Sequence, residues 1–215
     1  MRSYEQNCPI AVALDAIGDR WSLLILRELA MGDQRFTDLR RSLPGIAPNL
    51  LSARLTELAD RGLVARAELP PPAARTVYRL TPRGREVTPV LGALSRFGAA
   101  DLPADPARPM RPSRAVHSLL LPWHRPAASR LDRVRVVVDG SAFDLVTGDG
   151  GVRVERVDTD AGAGDEGRAA APDLTVETTT PALVAARRDR TPLAATYAGP
   201  AAARAAFTEA FALPT

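Results

Sequence analysis

Few residue types in this sequence can do covalent or acid–base chemistry. The 215 residues include one cysteine, Cys8, and two histidines, His117 and His124. Cys8 precedes Pro9, which opens a helix. Helix N-terminal amides and the nearby charges of Arg2 and Arg20 would favour its thiolate, as a redox sensor needs. The alternative is a small buried hydrophobe. Two histidines and one cysteine cannot build a Cys/His zinc site. A single thiol forms no internal disulfide and suits a reducing cytoplasm. His117, His124, Asp144 and Tyr197 are candidate acid–base groups, but no spacing pairs them. No Ser-His-Asp set, metal motif or phosphate loop is present. No catalytic residue, metal site or cofactor is expected.

The other chemistry open to the chain is polar recognition. All 28 basic residues are arginine, among 46% hydrophobic and 25% charged residues, and the net charge is +3. Many alanines accompany the arginines, so their number alone says little. Their distribution says more. Residues 1–100 carry 14 Arg against 10 acids, whereas residues 101–215 carry 14 against 15. A phosphate-bearing partner would meet the first half. No apolar run is long enough to span a bilayer. Asp15 and Asp19 and the lack of an A-x-A-like site argue against a signal peptide. A cytoplasmic location is expected, with no membrane partner.

The elements that must position these groups follow from periodicity and punctuation. Pro9 starts a helix over 9–17, and Asp19 is a plausible N-cap for one over 20–31, ended by Gly32. A short helix over 36–42 stops at SLPGIA. Leu51, Leu55 and Leu58 mark a helix over about 47–61, stopped by Gly62. LVARAEL and TVYRLT read as a hairpin around the tip at 70–75. Thr81 and Pro82 begin a helix expected to run to about 98. Four prolines in 101–112 mark a linker. The domains expected are 1–100 and 113–215. In the second, a helix over 114–123 precedes strands at 133–139, 142–147, 151–158, 173–179 and 193–198. The segment 159–172 reads as a surface loop, and helices follow Thr180-Pro181 and Gly199-Pro200. The fold class is α+β.

Helix, helix, helix, hairpin, helix is the order of a winged helix-turn-helix, and residues 8–98 resemble the HxlR-type bacterial transcription regulators. The resemblance is carried by Cys8-Pro9, GDRW at 18–21, ILREL at 25–29 and Gly32. It continues through Arg35-Phe36, Leu39, PGI at 44–46, LSARLTEL at 51–58, DRGLVAR at 60–66 and VYRLTPRG at 77–84. It departs at Ala47, where the family commonly has a Ser or Thr cap, and at Asn49, where a basic residue is common. The resemblance implies double-stranded DNA as partner and a homodimer paired through the first and last helices. Val87, Val90, Leu91, Leu94 and Phe97 would supply apolar surface for such pairing. It also aligns Cys8 with a cysteine that some members use as a sensor.

A major groove admits one helix, read from its N-terminal half. Helix 47–61 is the candidate, with Pro48, Asn49, Ser52 and Ala53 outward. Asn49 can bond adenine on two atoms, and Ser52 a base or phosphate. Arg35, Arg54 and Arg75 are candidate phosphate contacts. Arg54 is alternatively a brace, paired with Glu57 or Asp60.

Residues 113–215 resemble a sterol carrier protein-type (SCP2-like) domain. The carrying text is DRVRVVVDGSAFDLV, PDLTVETTTPALVAA and GPAAARAAFTEAFALP. The resemblance implies a pocket for a hydrophobic small molecule. Its expected lining is Trp123, Val136, Val138, Phe143, Leu145, Leu174, Val176, Phe207 and Phe211. The alternative is that these side chains fill one another's space as a core. The function expected is a sequence-specific DNA-binding regulator responding to a hydrophobic ligand or to Cys8 modification. The alternative is a co-opted small-molecule binder or enzyme with reduced DNA binding.

Overall fold

The computed structural model describes residues 3–69, 75–103, 110–125, 130–148, 151–157 and 171–213. The chain forms two units, Met1–Leu91 and Gly92–Thr215. Residues 70–74 of the expected tip at 70–75, 104–109 of the expected linker at 101–112 and 159–170 of the expected loop at 159–172 lie outside the described residues.

The first unit begins with α1 (Pro9–Ile17), α2 (Ser22–Ala30), α3 (Phe36–Ser42) and α4 (Pro48–Asp60). The hairpin β1 (Val64–Glu68) and β2 (Thr76–Leu80) follows, paired antiparallel with Val64 opposite Leu80. One core joins them: Ile25, Leu26 and Leu29 of α2, Leu39 of α3, Leu51, Leu55 and Leu58 of α4, and Leu63, Val64 and Leu80 of the wing. The α4 leucines recur at helical spacing, so one stripe of that helix is fixed in the core. Gln34 and Tyr78 exchange backbone hydrogen bonds of 3.0 and 2.8 Å, tying the approach to α3 against β2.

Two expectations about the helices need correction. Asp19 does not cap α2. Trp21 occupies that position without a side-chain cap bond, and the Asp19 carboxylate pairs with Arg54 instead. The helix expected over 82–98 is two, α5 (Pro82–Arg85) and α6 (Thr88–Gly98). Pro89 has no N–H to donate to Arg85, and its ring crowds that carbonyl, so the ladder breaks between them. Thr81 caps α5 as expected, accepting from the Gly84 N–H at 2.9 Å.

The second unit contains α7 (Pro112–Ala115), which does not continue as a regular helix. The turns widen over Val116–Leu120 and tighten over Leu121–Trp123, where Pro122 cannot donate. Strands β3 (Arg133–Val138), β4 (Ser141–Gly148), β5 (Gly151–Val157), β6 (Leu174–Thr178) and β7 (Ala195–Ala198) form one sheet ordered β5-β4-β3-β6-β7. The β3–β6 pair is parallel and the others are antiparallel. Helices α8 (Thr180–Arg188) and α9 (Ala201–Ala210) pack with α7 on one face.

Period-2 alternation puts Val134, Val136 and Val138 on that face with Leu174 and Val176. Arg133, Arg135 and Asp144 take the other face. There Asp144 is buried and accepts from Arg133 at 2.9 Å and from Arg135 at 2.8 and 3.0 Å.

Candidate nucleic-acid interface

Helix α4 is fixed at both ends by its sequence. Pro48 stands at its first position, where a missing N–H costs nothing. At the other end Gly62 takes a left-handed φ of 68°. Leu63 then donates to the Leu58 carbonyl at 2.9 Å and Gly62 to Ala59 at 2.8 Å, closing the last turn. With Leu51, Leu55 and Leu58 buried, Pro48, Asn49, Ser52 and Ala53 are exposed, as expected for a reading face.

Thr56 is exposed on the same face and was not among the expected residues. It stands four residues after Ser52 and seven after Asn49, so the helical period alone could have placed it there. Its hydroxyl donates to the Ser52 carbonyl at 3.1 Å.

The arginines divide by what they already hold. Arg54 donates to Asp19 at 2.6 Å and also pairs with Glu57. It therefore braces α4 against the α1–α2 turn. The brace was one of the two roles open to it, although Asp19 was not the partner foreseen. Arg35 precedes α3 and pairs with Asp38 at 2.9 Å while its side chain stays half exposed. Arg79 on β2 pairs with Asp33 at 2.5 Å. Arg75 enters β2 at the wing, exposed, and its carbonyl accepts from Leu69 at 2.9 Å.

Beside this face lies an open cavity of about 570 Å³, lined by Tyr4, Leu14, Asp15, Asp19, Arg54 and Glu57 among others. Among the described residues no cluster of His, Cys, Asp and Glu could hold a metal ion.

Cys8 sits immediately before α1, partly buried. The N–H groups of Ala11 and Ile10 draw its pKa below the ordinary thiol value, without a formed cap bond. Arg2 lies outside the described residues.

The fold order and the candidate reading helix stand beside the comparisons with known proteins. The HxlR-like helix-turn-helix model matches residues 16–106. An HTH-type transcriptional regulator of Synechocystis is 40% identical over 92 residues, covering 43% of this chain and 68% of that protein. The regulator YvaP of Bacillus subtilis is 37% identical over 93 residues, covering 43% of this chain and 86% of that protein. The chain belongs to the HxlR family. A third HTH-type regulator, from Methanothermobacter thermautotrophicus, is 37% identical over 94 residues, covering 44% of this chain and 72% of its own length. Each of these matches spans less than half of the HxlR-family chain.

In the second unit, Val136, Val138, Phe143, Leu145, Leu174, Val176, Phe207 and Phe211 are buried in a single cluster. Trp123 is half-buried, with the Arg187 guanidinium 4.5 Å from its ring centroid. Arg187 itself was missed. It is 4% exposed and donates to three backbone carbonyls: Leu119 at 2.7 Å, Phe211 at 2.8 Å and Ala212 at 3.2 Å. An arginine next to Arg188 and Arg190 in sequence reads as part of a solvated run, so no local signal marked it. Burial lowers its pKa to about 10, which leaves it protonated at neutral pH.

Proposed function

We propose that this HxlR-family chain is a sequence-specific DNA-binding transcriptional regulator that acts as a homodimer. The observation that carries the reading is the outward row Asn49, Ser52, Ala53 and Thr56 on a helix whose opposite stripe is fixed in the core. Such a helix enters a major groove without distorting the domain. Asn49 then bonds an adenine edge, Ser52 and Thr56 bond bases or phosphates, and Pro48 and Ala53 make apolar contacts. Arg35 and Arg75 contact the backbone. Arg54 serves as the brace that sets the helix.

The dimer reading is supported by exposed apolar side chains. Ile10, Val12 and Leu14 of α1 and Val90, Leu94 and Phe97 of α6 are all exposed, Phe97 by 80%. Patches of this kind mark association surfaces. The second unit is proposed as an SCP2-like effector domain. Cys8 is proposed as a redox input, its thiolate favoured by the α1 amides.

The test is a mobility shift on DNA upstream of the protein's own gene, at low and moderate salt. Wild type is expected to shift that DNA. Asn49→Ala is expected to weaken specific binding by about 1–3 kcal/mol and leave non-specific binding unchanged. No shift at low salt by a folded dimer overturns the reading. A second reading, a small-molecule binder with reduced DNA affinity, is favoured by the charge of the reading helix: Arg54 and Arg61 are offset by Glu57 and Asp60.

A further inference from the structure

The sheet of the second unit ends in two unlike edges, β7 on one side and β5 on the other. The β7 edge has four residues and is followed by Gly199-Pro200, a short strand with a proline stop of the kind that blunts an edge. The β5 edge has seven residues, Gly151–Val157, and no proline. Its pairing with β4 runs unbroken from Gly148 opposite Gly151 to Ala142 opposite Val157, so no bulge turns it away. Among the described residues β4 is its only strand neighbour. Such an edge is a template for another strand.

The hydrogen-bonding pattern decides which groups the edge offers. The Thr147 N–H donates to the Asp132 carbonyl at 2.9 Å, beside the start of β3. Alternation then points the backbone of Gly148, Val146, Asp144 and Ala142 at β5. Their partners Gly151, Arg153, Glu155 and Val157 point back at β4. The backbone groups of Val152, Val154 and Arg156 therefore face outward. Side chains alternate between the sheet faces with the same period. Val152 and Val154 pack against the helix-covered core. Arg153 and Glu155 take the opposite face, joined to each other at 2.9 Å, and Glu155 also lies 3.8 Å from Arg133.

A second copy of β5 fits this edge in one register. A two-fold antiparallel pair sets outward-facing residues opposite outward-facing ones, so its axis passes at a residue rather than between two. An axis at Arg153 opposes that arginine to its own copy, and an axis at Glu155 opposes two carboxylates. An axis at Val154 uses the whole strand and sets each Arg153 opposite the other copy's Glu155. These are non-hydrogen-bonded pairs, where side chains approach most closely. Val154 then meets Val154, and Val152 meets Arg156, so no like charges are opposed. We propose that β5 pairs with β5 of a second copy about a two-fold axis at Val154, joining the two sheets edge to edge. This rests on the homodimer proposed above. One strand pair is too small to hold two copies by itself, and the pairing of the first units supplies the local concentration.

The experiment is oxidative cross-linking of full-length single-cysteine variants: Arg153→Cys, Val154→Cys and Glu155→Cys, each combined with Cys8→Ser. Residues facing each other in a hydrogen-bonded pair have Cα atoms about 5.5 Å apart, within disulfide reach. A cysteine at 153 or 155 lies diagonal to its own copy at about 7–8 Å, beyond that reach. Val154→Cys is therefore expected to form disulfide-linked dimer about tenfold faster than either neighbour, although Arg153 is the more exposed side chain. Amide exchange of the wild type needs no variant: the Val154 and Arg156 N–H groups should be protected. Cross-linking that is fastest at 153 or 155, equal at all three positions, or absent overturns the β5 pairing, as does unprotected exchange at both amides. Sedimentation of the wild type separates this inference from the one beneath it. A dimer with any of those outcomes loses the β5 pairing alone, whereas a monomer overturns both.

Discussion

At the scale of single residues, charge pairing separates positioning groups from groups held ready for a partner. Asp144 was considered an acid–base candidate from its sequence. Its burial between Arg133 and Arg135 makes it a structural carboxylate instead. Hydrogen bonding to Arg135, with a further contribution from Arg133, lowers its pKa below the ordinary 3.8. A depressed carboxylate pKa contributes stability that is present above the unfolded value and lost as the pH falls through the folded one. Asp144→Asn is therefore expected to lower the melting temperature at neutral pH. Its gap to wild type should narrow as the pH drops below about 3.8, a trend readable by thermal melts across an acid series. A gap that stays constant down to the lowest pH would contradict the assignment. Asn49, Ser52 and Thr56 are the contrast. They hold no carboxylate and face outward, so their substitution should alter DNA selectivity more than stability.

At the scale of elements, what could be read from the sequence was whatever local rules decide. The α4 stripe of Leu51, Leu55 and Leu58, the Gly62 stop and the Thr81 cap each depend on a few neighbouring residues, and all three stand in the structure. The break before α6 was also local, since Pro89 marks it, but the apolar residues after it suggested a continuous helix. Asp19 was misassigned because its partner, Arg54, lies 35 residues away. Arg187 was invisible for the same reason: its carbonyl partners at Leu119 and Phe211 are supplied by distant segments. Helix α4 itself retains one local defect. Ala47 has the extended backbone of an N-cap, with φ −71° and ψ 142°, but no side chain to accept a bond. Ala47→Ser should add about 1 kcal/mol of stability to the first unit, measurable by urea denaturation. A serine with no effect would mean that solvent already satisfies those amides. Gly84 shows the opposite constraint. A Cβ there would overlap the Leu63 carbonyl, so Gly84→Ala should lower the melting temperature of the wing-bearing unit by several degrees.

At the scale of the whole molecule, two separate cores and an uneven charge divide the labour. Each unit has its own apolar cluster, and the arginine excess belongs to the first hundred residues. That excess is small, so one copy of the reading unit neutralises few phosphates. Two copies double the number and add the half-site geometry that a two-fold operator requires. The exposed apolar side chains Ile10 and Val90 lie in the first unit, and neither contributes to its core. Under the proposed pairing, Ile10→Glu with Val90→Glu should therefore leave the fold intact and reduce the solution mass, by sedimentation, from twice the chain mass to once. The consequence for DNA follows from counterion release. Each phosphate neutralised contributes about 0.9 to the slope of log affinity against log salt. The double variant should show roughly half the wild-type slope, because half the contacts remain. A sedimenting monomer that kept the full slope would mean that one copy makes all the phosphate contacts, and the dimer would then have no part in DNA recognition.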